Sequence, residues 1–150
     1  MSSFEKWLLW SATAAVAATG ILLGWMKYFV RSSDPYAVVH HPLQPLVLKA
    51  HVLSAPFLVF AAGVVYTRHV VRLWRTGRPA GRRSGIAILA TLGPMVLSGY
   101  AIQTFTSDTW VFRAAITHIA ASLLYLVGLG IHRAGAKARA RRDPVADPDS

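Results

Sequence analysis

His118-IAASLLYLVGLGI-His132 is the stretch on which the fold turns. Thirteen uncharged residues separate the two histidines. Gly128 and Gly130 weaken helix propensity here, but nothing breaks a helix outright. At about 100° per residue, a spacing of fourteen brings both imidazoles to within about 40° of one helix face. Along the axis they lie about 21 Å apart.

A second stretch repeats the arrangement. His51-VLSAPFLVFAAGVVYTR-His69 has a spacing of eighteen. In an uninterrupted α-helix that is five whole turns, so these imidazoles also share a face, about 27 Å apart. Both stretches are apolar enough to lie in a membrane, where ionisable groups are costly and mark function. Two helices, each with two histidines on one face, can offer two facing pairs. Bis-histidine haem requires that donor set, with a neutral imidazole nitrogen at each axial position of the iron.

The layout resembles the four-helix, di-haem cytochrome b subunits of bacterial hydrogenases and formate dehydrogenases. The residues that carry the resemblance are the His118/His132 pair, the partner segment with His51 and His69, and the Gly-rich GPMVLSGY before the fourth segment. It covers roughly residues 40 to 135. The departure is the spacing of eighteen, which exceeds fourteen by about one helical turn, or 6 Å. The family resemblance implies haem b, two per chain, or one if the longer spacing defeats the second pair. It also implies a quinone, a redox partner subunit and the lipid of a bacterial inner membrane as surroundings.

Composition agrees with a membrane protein. The chain has 150 residues, 54% of them hydrophobic, and a mean hydropathy of +0.42. The apolar residues come in long runs. A net charge of +10 and a pI near 10.9 would suggest nucleic acid in a soluble protein. Here the basic residues cluster beside apolar segments, so they report topology, and no nucleic-acid partner is expected. With no cysteine, there are no disulfides, no iron–sulfur ligation by this chain and no covalent haem attachment. Haem would be held through histidine alone.

The expected fold is all-α: an integral membrane four-helix bundle with segments at about 7–30, 47–71, 86–106 and 110–132, followed by a short helical extension and disorder over 136–150. Trp7, Trp10 and Trp25 lie near the ends of the first segment, as interfacial aromatics do. Gly20 and Gly24 form a G-x-x-x-G, read first as close helix packing and second as a smooth wall for a macrocycle. The third segment lacks histidine and would serve as a wall, kinked at Gly93-Pro94.

With the N-terminus inside, twelve of the sixteen Lys and Arg fall on the cytoplasmic side and four, Lys27, Arg31, Lys49 and Arg113, on the other. The positive-inside rule therefore puts both termini in the cytoplasm. His51 and His118 then lie near the outer leaflet, and His69 and His132 near the inner one. Arg113 and Lys49 are placed to meet the propionates of an outer haem, or to act as interfacial anchors. His40 and His41, in the proline-rich loop 31–46, are candidates for a quinone site, or are simply solvated.

Zinc wants three or four converging ligands, and pairs five turns apart do not converge. No carboxylate lies inside the predicted segments, which weighs against a proton-coupled transporter. No nucleophile elbow, P-loop or dinucleotide fingerprint is present. The expectation is transmembrane electron transfer. The competing reading is a haem-free membrane anchor or assembly subunit of a larger complex whose histidines are structural.

Overall fold

The computed structural model describes residues 1–32, 34, 40–76 and 82–142. It consists of helices α1 (Ser3–Tyr28), α2 (Gln44–Arg75), α3 (Arg82–Thr104) and α4 (Asp108–Arg142), with no strand among the described residues. All four are long and apolar enough to cross a membrane. The chain divides into two compact units, Met1–Gly77 and Arg78–Ser150.

In the first unit, α1 and α2 pack as an antiparallel hairpin. Ser2 caps α1 through a reciprocal box: its hydroxyl accepts from the Glu5 amide at 3.2 Å, and its own amide donates to the Glu5 carboxylate at 3.1 Å. The helix thus begins before Trp7 and takes in Glu5, which is buried. This carboxylate lies in the helix but outside the predicted segment 7–30. Arg68 of α2, 4.0 Å away, faces it. Pro45 falls in the first turn of α2, where no intrahelical partner is lost. Pro56 sits inside the helix without ending it.

Residues Tyr66–Val70 form a single π-turn, closed by the Val71 amide on the Tyr66 carbonyl. One additional residue in a turn rotates the downstream part of the helix by about 100° relative to an uninterrupted α-helix. The five whole turns expected between His51 and His69 are therefore not realised, because His69 lies inside the π-turn.

In the second unit, α3 and α4 pair antiparallel. Gly128 admits Ile88: a Cβ there would stand 3.2 Å from the Ile88 side chain. Pro94 again lies within a continuous helix. Helix α4 continues through Arg142, further than the boundary at 136 expected for a disordered tail. Residues 143–150 of that tail lie outside the described residues.

Polar residues bracket each apolar run. No Lys, Arg, Asp or Glu occurs from Trp7 to Met26, from Ala50 to Thr67, from Ser84 to Ser107 or from Ala114 to His132. At 1.5 Å per residue, even the shortest of these is about 27 Å, close to the ~30 Å hydrocarbon core of a bilayer. Between 11% and 22% of each apolar window is buried within the protein. Leu58, Ala61, Ala62, Met95, Ala121 and Tyr125 are among the few buried side chains, while Phe57, Phe60, Leu97, Leu123 and Leu124 are exposed. Such apolar exteriors mark contact with a membrane or with partner proteins.

Candidate haem-ligand site

Each hairpin holds histidine in the same manner. In α4, the Nδ1 of His118 donates to the backbone carbonyl oxygen of Met95 on α3 at 2.8 Å. A carbonyl can only accept, so the proton is on Nδ1 and Nε2 carries the lone pair of the neutral ring. The Ser98 hydroxyl lies 3.5 Å from the same Nδ1 and gives its own proton to the Pro94 carbonyl at 2.5 Å. Gly99 lets the ring lie against the α3 backbone: a Cβ there would stand 3.2 Å from His118 Cε1.

One half of the other hairpin matches. His51 Nδ1 is 3.1 Å from the Thr19 hydroxyl of α1. With that hydroxyl's proton on the Ala15 carbonyl at 2.7 Å, Nδ1 of His51 would be the donor and Nε2 the basic nitrogen. Gly20 makes room; a Cβ there would stand 2.9 Å from His51 Cε1. Leu58 and Ala62, seven and eleven residues beyond His51 on α2, are both buried.

His132, fourteen residues beyond His118, repeats the pattern with a 2.8 Å hydrogen bond between its Nδ1 and the Ser84 hydroxyl, next to Gly85. Ser84-Gly85 and Ser98-Gly99 are themselves fourteen residues apart. Reading the third segment as a featureless wall overlooked this. The signal was in the sequence: a repeated Ser-Gly at the period of the facing histidines. His69, half-buried with its Nδ1 buried, sits in the π-turn.

The loop histidines are engaged locally. His40 Nδ1 donates to the Lys27 carbonyl at 3.0 Å, which satisfies one of the orphan carbonyls at the end of α1. His41 Nδ1 accepts the Leu43 amide at 3.1 Å at the start of α2. Arg113 is exposed and stacks over Trp110 at 5.1 Å. Lys49 is exposed on the first turns of α2.

Among the described residues, no three His, Asp or Glu side chains gather where they could hold a metal ion. His51, His118 and His132 instead each have Nδ1 against a hydroxyl or carbonyl of the facing helix and one further ring nitrogen to present. A haem iron asks for one such nitrogen on each side, because the porphyrin supplies its other ligands. His118, with its Nδ1–H donating to the Met95 carbonyl, is in the form in which an imidazole can bind metal through Nε2 while the other nitrogen donates to a protein acceptor. The residues present therefore fit the group. No protein-family model, curated protein or solved structure matches the chain.

Proposed function

We propose that the protein is a multi-pass cytochrome of a bacterial inner membrane that carries electrons across the bilayer through b-type haem. His51 and His118 would hold the outer haem, and His69 and His132 the inner one. The observation that carries this reading is the 2.8 Å hydrogen bond from His118 Nδ1 to the Met95 carbonyl, which leaves Nε2 as the coordinating nitrogen.

When bound, the haem supplies one-electron redox chemistry. The chain's own residues do the rest. The Met95 carbonyl and the Thr19 hydroxyl each stand at Nδ1 of an outer histidine and fix the rotation of its ring. The buried side chains of Leu58, Ala62 and Ala121 exclude water, which lowers the local dielectric. Both termini are assigned to the cytoplasm on the distribution of basic residues.

Electrons would pass between the quinone pool and a redox partner protein. His40 is suited to a quinol: its Nδ1–H is committed to the Lys27 carbonyl, so Nε2 is able to accept a quinol proton. The test is the visible spectrum of the purified protein after dithionite reduction. A b-type spectrum supports the reading. A colourless protein, with the helical content intact, would make it a haem-free anchor.

A further inference from the structure

Three histidines meet the same two-residue partner on the facing helix. Thr19-Gly20 faces His51, Ser98-Gly99 faces His118, and Ser84-Gly85 faces His132. The glycine is the position at which the imidazole approaches the backbone, and the hydroxyl preceding it stands at Nδ1. Helix geometry makes the two roles inseparable. Adjacent residues are about 100° apart on the helix, so a ring laid on one residue's bare Cα reaches the side chain of its neighbour.

We propose that these hydroxyl–glycine pairs are imidazole seats: positioning residues that set the tautomer and ring orientation of the haem ligands. The inference rests on the haem reading for its purpose, but the seats themselves are visible in the protein alone. They are not equivalent. His118 donates to a backbone carbonyl, so its Nδ1 proton survives loss of the Ser98 hydroxyl at 3.5 Å. At His51 and His132 the hydroxyl is the partner seen at Nδ1, at 3.1 and 2.8 Å. The glycines are graded too. An added Cβ would come within 2.9 Å of the ring at Gly20, 3.2 Å at Gly99 and 3.9 Å at Gly85. The first forces a shift, the second requires the ring to give, and the third is ordinary van der Waals contact.

The test uses the full chain in two forms. The haem-free form, produced in cells unable to make haem and purified in detergent micelles, is read by ¹⁵N NMR of the imidazole nitrogens. Thr19→Val and Ser84→Ala should shift the tautomer equilibria of His51 and His132, respectively, while Ser98→Ala leaves His118 in its Nδ1–H form. Gly20→Ala should perturb the His51 ring most, Gly99→Ala the His118 ring less, and Gly85→Ala should leave His132 in place. Thr19→Ser should restore the His51 signature. Circular dichroism identifies any variant that fails to fold, and the Thr19→Val/Thr19→Ser comparison then carries the test. In the haem-loaded form, the two perturbing hydroxyl variants should weaken haem binding by about 10- to 100-fold, the usual cost of losing such a partner.

Unchanged His51 and His132 tautomers in Thr19→Val and Ser84→Ala would overturn the seats. Shifted tautomers with undiminished haem affinity would overturn their positioning role. Failure of the unaltered protein to bind haem at all overturns the haem reading instead, and is seen before any variant is made.

Discussion

The Nδ1 of His118 stands 2.8 Å from the carbonyl oxygen of Met95, on the neighbouring helix and twenty-three residues earlier in the chain. The half-buried imidazole has two nitrogens to satisfy, and this bond places a proton on Nδ1. The hypothesis drawn from it is that His118 is an axial ligand. His118→Ala should remove the outer haem and spare the inner one, so haem content falls by about half. Full haem content in the variant, measured as the pyridine haemochrome against protein, would contradict the assignment.

His40 and His41 do a different kind of work. Each holds a helix end through a single backbone hydrogen bond. His40→Ala should cost about 1 kcal/mol of stability, the usual worth of one such bond, with haem content unchanged. If His40 also takes the quinol proton, quinol oxidation slows in this variant while direct chemical reduction of the haem does not. Equal rates for both electron donors would remove His40 from any quinone site.

Arg113 is predicted to act on the outer haem through its charge. A unit charge about 10 Å from the iron, at an effective dielectric of about 20, is worth about 1.7 kcal/mol, or about 70 mV for one electron. The guanidinium is exposed and stacked on Trp110, so solvent screening reduces this to tens of mV. Arg113→Gln should lower the outer potential by that amount and leave the inner one in place. A redox titration showing neither potential moved would leave Arg113 as an interfacial anchor, and the same titration on Lys49→Gln tests the facing helix.

His69 is the proposed ligand whose surroundings differ most from the others. It sits in the π-turn Tyr66–Val70, and π-turns recur at functional sites. The prediction is that His69→Ala abolishes the inner haem and keeps the outer one with its spectrum intact. An unaltered haem content would remove His69 from the ligand set and reduce the account to its His51–His118 haem.

The four apolar helices were legible in the sequence because long uncharged runs have few other uses. Their ends were less so. Helix α4 runs on past Arg133 through alanines and arginines, which favour helix as strongly as the apolar residues before them. Glu5 was missed because the first segment was drawn from Trp7, whereas the capping box starts the helix at Ser3. The π-turn left no trace in Tyr66–Val70, since no residue type marks one, and it undoes a phase reckoned at 100° per residue. The histidines themselves were plain. What held them was not, because a serine or threonine in a helix usually bonds its own preceding carbonyl, as Thr19 does with Ala15. Only the antiparallel pairing of the helices shows that the same hydroxyl also meets an imidazole.

The most direct test of the central claim is haem stoichiometry in the purified chain, measured as pyridine haemochrome against quantitative amino-acid analysis. The account predicts b-type haem at two per chain, with a low-spin ferric signal for bis-imidazole ligation in the electron paramagnetic resonance spectrum. A folded, membrane-extracted protein that contains no haem, and takes up none when haem is supplied, would contradict it.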